Sequence, residues 1–278
     1  MQPVPPERAR SLHALLVGAL LLSLAAGGCN SSASGGLSSP FLPSDTVSVQ
    51  EPTRDSALAV LNNLQRTAFD SAFAALDTYT MTRRLRTEQL TPAGSVAAMQ
   101  AYTVRFPPAP APGTIQARDS SGTFPTGGFL GTLSSPETPT ARPQNAAPQA
   151  LSDPPPYIAP RTREAFRYAL TADTLADGTP VQVVRTQARD TRSARDQGVR
   201  FARLTLLHDS HELVRLTVVR AERSLLFWED SRLTIHLRPA PDADAWVPAL
   251  VRFQARVDIP FRAPRRFRTV SRYTDYAR

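Results

Sequence analysis

Apolar positions along this chain follow two periods. Across residues 53–76, "TRDSALAVLNNLQRTAFDSAFAAL", Leu58, Leu61, Leu64, Ala68, Ala72 and Leu76 recur three or four residues apart. That spacing predicts an amphipathic helix of about 22 residues. Thr53 stands where an N-cap belongs, and Asp55 falls in the first turn, where its charge suits the helix dipole. From residue 78 the period becomes two. "TYTMTRRLRTEQL" reads as a strand, "TPAG" as a turn and "SVAAMQAYTVRF" as the hairpin partner; "TIQARDSSGTF" reads as a third strand.

Residues 134–162 then hold eight prolines among Ser, Thr, Ala and Gln. No regular core structure is expected there, so the stretch is a linker between domains or a long excursion from one. Beyond it the period of two returns and persists. "AFRYALTADTLADGTPVQVVRTQAR" predicts a hairpin around Asp177-Gly178, and "VRFARLTLLHDSHELVRLTVVRAE" another that turns at 208–211. "SLLFWEDSRLTIHLRP", "AWVPALVRFQARVDIPF" and "RRFRTVSRYTDYAR" follow as further strands. Leu233, Ile235 and Leu237 alternate with Arg232, Thr234, His236 and Arg238, the pattern of a half-buried antiparallel strand. Val251, Phe253, Ala255, Val257 and Ile259 alternate in the same way with Arg252, Gln254, Arg256 and Asp258. Residues 199–207 and 213–220 are apolar on both faces and are expected to be covered on both sides. One helix, three strands, a proline-rich break and six or seven strands make an α+β chain, mostly antiparallel β. To hide its apolar face such a run must curl into a barrel, a half-barrel or a sandwich.

The N-terminus has a different texture. Arg8 and Arg10 precede an apolar run, residues 12–26, that is shorter than the roughly twenty residues a spanning helix needs. It ends in Ala25-Ala26-Gly27-Gly28, directly before Cys29, the one cysteine of the chain. With no partner, Cys29 cannot form an internal disulfide, and its place after small residues is that of a cleavage point. The stretch resembles a bacterial lipoprotein signal. That resemblance implies removal of residues 1–28, a thioether-linked diacylglycerol on Cys29, and acylation of the new amino terminus. Asn30, in place of Asp, implies sorting to the outer membrane, with the domain facing the periplasm. Residues 29–52, rich in Ser, Gly and Pro, are expected to be a flexible tether, and 53–278 the domain.

Composition narrows the partners. The formal net charge is +8, and every basic residue is arginine. The arginines scatter through strand-like segments, so nucleic-acid binding is not expected of an exported chain. Contact with anionic lipid or polysaccharide is the sharper option for "RAPRRFRTVSR", five arginines at 262–272; a solvated or edge-protecting face is the simpler one.

The order of elements, joined to the signal, resembles the LolA/LolB superfamily of periplasmic lipoprotein carriers and sorting factors. The residues that carry the resemblance are the leading helix running into "LDTYTMTRRLRTEQL", the Phe-x-Tyr-x-Leu strand before "ADGTPVQVV", and the "WVP…FRTVSRYTDY" ending. It covers residues 53–278 and implies an unclosed barrel, a curved antiparallel half-barrel with the long helix packed on it. It also implies a hollow that takes a lipid or the acyl chain of a lipoprotein. The chain departs from the carriers in its proline-rich insert and its anchor, which implies a receptor, lipid binder or envelope sensor in place of a soluble shuttle. By face and size, Phe201, Leu216, Leu226, Ile235, Phe253 and Phe267 are the candidate lining. The alternative is a non-catalytic sensor or protein-interaction module whose hollow is filled by its own side chains.

Catalytic chemistry has little to build on. His208, Asp209 and His211 have ligand-like spacing but fall where a hairpin turns. Glu229 and Asp230 are adjacent on a strand, so their carboxylates diverge, and a solvated strand end is expected. "DSSG" at 119–122 reads as a turn. No phosphate loop, metal-ligand array or nucleophile–base set appears, so neither a cofactor nor an enzymatic activity is expected.

Overall fold

The computed structural model describes residues 39–43, 53–64, 66–124, 139–140, 155–223, 228–242 and 245–278. All of these belong to one unit, Gly35–Arg278. The predicted signal, Cys29 and most of the tether lie outside the described residues, as does Leu226.

Among the described residues ten strands form: β1 (Thr80–Leu90), β2 (Val96–Phe106), β3 (Thr114–Ser121), β4 (Phe166–Thr174), β5 (Pro180–Ala188), β6 (Val199–Leu207), β7 (Leu213–Arg223), β8 (Trp228–Pro239), β9 (Trp246–Asp258) and β10 (Arg265–Ala277). They join one antiparallel sheet in the order β3-β2-β1-β10-β9-β8-β7-β6-β5-β4. The sheet is curved, and its edges, β3 and β4, do not pair, so the barrel stays unclosed. Each pairing joins neighbours in sequence except β1 with β10, which bridges the N-terminal three strands and the C-terminal seven.

The leading helix is present in two pieces, α1 (Arg54–Asn62) and α2 (Arg66–Ala74), followed by a 3₁₀ turn at Ala75–Asp77. The first helix ends at Asn62, with Asn63 as its C-cap. Asparagine side chains compete with the helical backbone, and Asn62 accepts a hydrogen bond from Arg163 Nη2 at 2.6 Å. Thr53 does not cap α1; its Oγ1 accepts from the Leu170 amide at 3.0 Å and so ties the helix start to the edge strand β4. The predicted stripe is nevertheless the buried one: Leu61, Leu64, Ala72 and Leu76 join Phe69 and Phe73 in the core.

One sheet face carries that core. Leu85, Ser271, Val251, Ile235, Leu216, Leu204 and Val184 follow one another across seven strands by register and lie on the side of α1 and α2. Fully burying one such aliphatic side chain contributes about 1.5–3 kcal/mol, so this row and its helical cover dominate the hydrophobic stabilisation. β6 and β7 are buried on both faces, as their composition predicts.

Two features depart from the expected plan. The end of the proline-rich segment contributes to the core: Tyr157 and Ile158 are buried. Tyr168 Oη donates to the Tyr157 carbonyl at 2.9 Å, and the Tyr157 and Phe166 rings meet edge to face at 6.3 Å. The prolines remove backbone donors without preventing side chains from packing. A short helix, α3 (Thr191–Gln197), also stands between β5 and β6. Asp190 caps it through the Ser193 amide at 2.7 Å, and Gly198 ends it at φ 65°, where glycine avoids the Cβ penalty.

Candidate functional site: the two faces of the sheet

The residues expected to line one hollow divide between the faces. Leu216 and Ile235 are direct cross-strand partners on the helix-covered face and are fully buried. Phe253 lies on the same face, between Leu233 and Thr269, and is half-buried. Phe267 is on that face too, but in a separate small cluster with Val257 and Ile259. Phe201 pairs with Val219 and Gln187 on the opposite face. Alternation alone could not show this, because β6 is apolar on both faces and its register shifts between Val199 and Phe201.

The helix-covered face also holds a polar residue that sequence reasoning passed over. Arg83 is 2% exposed. Its Nε and Nη2 donate to Ser271 Oγ at 3.2 and 3.0 Å, and its guanidinium lies 5.9 Å from the Tyr273 ring centre. The signal was present: Arg83 occupies the apolar phase between Met81 and Leu85.

The ending that carried the family resemblance works as a clasp. Tyr276 Oη donates to the Pro248 carbonyl at 2.6 Å. Its ring meets Tyr79 edge to face at 5.8 Å. Tyr79 Oη donates to Asp242 at 2.7 Å, and Arg278 Nε pairs with the same carboxylate at 2.8 Å. Burial raises the Tyr276 phenol well above its ordinary range.

The opposite face is polar and charged. Glu229 and Asp230 diverge as expected, but Asp230 is buried, not solvated. Its carboxylate is 3.2 Å from Arg200 Nη2, and that guanidinium also lies over the Trp228 ring. Nearer the β3 edge Glu88, 2% exposed, accepts from Arg86 Nε at 2.7 Å and from Arg268 Nε at 2.5 Å. Around that pair runs a trough of about 720 Å³ over β1, β2, β3, β9 and β10. Arg84 stands opposite Arg272 across the β1–β10 pair, and Arg252 is opposite Val270. The basic run therefore protects no edge, since β10 is paired on both sides. Of its five arginines, Arg266, Arg268 and Arg272 share this face, Arg265 pairs with Val257 on the other, and Arg262 is in the turn.

His208 and Asp209 sit in the β6–β7 turn, Nδ1 to Oδ1 at 2.9 Å, both exposed. Among the described residues no three His, Cys, Asp or Glu side chains gather as a metal site, and no helix is long and apolar enough to cross a membrane.

No family model and no curated protein matches the chain. Solved structures do. One is an outer membrane lipoprotein-sorting protein domain from Vibrio parahaemolyticus, at 12% identity and TM-score 0.30, covering 81% of this chain and 92% of that one. A DUF1329 family protein from Desulfovibrio piger follows at 9% identity and TM-score 0.26, with the same coverage. A LolA superfamily protein from Nitrosomonas europaea shares 10% identity at TM-score 0.25, covering 79% of this chain and 92% of that one.

Proposed function

We propose that this protein is an envelope lipoprotein, held to the outer membrane through acylated Cys29 and facing the periplasm. Its domain binds a lipid, or the acyl chain of a lipoprotein, on the helix-covered face. One observation carries the ligand reading. A mostly apolar floor crossing seven strands is covered by two separate nine-residue helices and not by a further layer of sheet. Each methylene moved from water onto that floor contributes about 0.8 kcal/mol, so a long acyl chain can compete with Phe69 and Phe73, worth about 1.5–3 kcal/mol each. Leu216, Ile235 and Phe253 are floor residues in this reading, and buried Arg83 would meet the polar end of the ligand. A second reading, a sensor or interaction module with a filled core, is favoured by the depth of burial of Phe69, Phe73, Tyr157 and Leu204, each at most 1% exposed.

Titration of the purified protein with a fluorescent fatty acid separates the two. The ligand reading expects saturable binding that long-chain lipids displace. No uptake, together with no copurifying lipid by native mass spectrometry, leaves the filled-core module. Cys29→Ser is expected to abolish labelling by a fatty-acid analogue and to release or stall the precursor; labelling that persists would remove the anchor and the location with it.

A further inference from the structure

The trough on the opposite face is over-supplied with positive charge. Five arginines of that face line it, Arg84, Arg86, Arg252, Arg268 and Arg272, against two acids, Glu88 and Asp119. Glu88 is already engaged by Arg86 and Arg268. Among the described residues no carboxylate lies within ion-pair distance of Arg84, Arg252 or Arg272, and all three are exposed. Arg84 and Arg272 face each other directly across the ladder. Like charges so placed destabilise a sheet, and the position is central, where edge protection explains nothing. Strands lie about 4.8 Å apart, so the guanidinium groups of β1, β10 and β9 span roughly 10 Å of one surface. Buried Glu88 fixes two of the guanidinium groups, which leaves the hollow pre-organised. Val270, Ala101 and Ala117 supply short apolar floor between the charges. The volume lies within the few hundred to a thousand Å³ of small-ligand sites.

We infer that this trough binds a multiply charged phosphate ligand of phosphorylated-saccharide size. Guanidinium forks match phosphate oxygens two at a time, and the ligand's charge relieves the Arg84–Arg272 opposition. The phosphates can belong to a soluble sugar phosphate or to a lipid headgroup; the chemistry read by the arginines is shared. The site lies on the face away from the helical cover, so its test is independent of the acyl-ligand reading.

The test uses the full chain in a non-ionic detergent. Calorimetric titrations with fructose 1,6-bisphosphate and with short-chain phosphatidic acid, soluble in the same detergent, are run on three proteins. These are the parent, Arg252→Gln/Arg272→Gln, and Arg203→Gln/Arg215→Gln, the last pair being on the same face but outside the trough. Expected is one-to-one binding of the bisphosphate, of the short-chain phosphatidic acid or of both, weakened at least tenfold in the first variant and less than threefold in the second. Which probe binds identifies the source. Without phosphate the first variant should melt higher than the parent, because a like-charge contact is gone, and should lose the melting shift that phosphate gives the parent. Absence of binding to both probes overturns the inference, and so does an equal loss in both variants, which would mean bulk charge. Binding that the Arg252/Arg272 change leaves intact also overturns it.

Discussion

His236 faces the polar side of β8, opposite Leu250 and Arg215. Burial first, then the nearby charges of Arg215 and Arg252, lower its pKa below the ordinary value of 6.5. The folded state therefore prefers the neutral ring. Above about pH 6.5 neither state is protonated and no penalty exists; as pH falls through 6.5 toward the lower folded value, the unfolded chain takes up the proton first and stability is lost. Thermal melts from pH 7.5 to 5 should show a steeper fall for the parent than for His236→Gln, which lacks the titration; parallel profiles would mean the imidazole contributes nothing. Arg232, on the same face, has its pKa lowered by burial and then by Arg252, so the arginine surplus is felt beyond the trough. Residue identity made these side chains visible in the sequence. Their neighbours depend on register: Arg84 and Arg272 are 188 positions apart along the chain, and nothing local announces that they meet.

Among the elements, the ten strands were the legible part, because half-buried antiparallel strands print their alternation directly on the sequence. The interruption of the leading helix and the small helix α3 were not read. The first hides because the apolar stripe runs on through Asn62-Asn63. The second, seven residues long, is announced only by Asp190 and Gly198 at its ends. The helical cover then makes its own prediction. Phe73, 1% exposed, anchors α2 to the core. Phe73→Ala should destabilise the fold by about 3–5 kcal/mol. If the cover is the gate, the same change should speed uptake of the fluorescent fatty acid, measured by stopped flow well below the melting temperature. A variant that is destabilised yet takes up no probe would argue for the filled core.

At the scale of the whole molecule, fold class followed from counting strands and from the family resemblance. The closing pair did not. Sequential hairpins give β3-β2-β1 and β10 through β4 at once, but which ends meet is decided by long-range packing: the clasp of Tyr79, Tyr276, Pro248 and Asp242, and the β1–β10 ladder. The strand that makes that pairing is also the last of the ten in sequence, yet it sits in the interior of the sheet, fourth from the β3 edge. Without its thirteen residues, β1 and β9 would each present a bare row of amide and carbonyl groups to any other extended chain. Docking of that one strand therefore turns two separate sheets with adhesive borders into a single sheet, and a copy in which it has not yet docked is the form most open to capture by another chain.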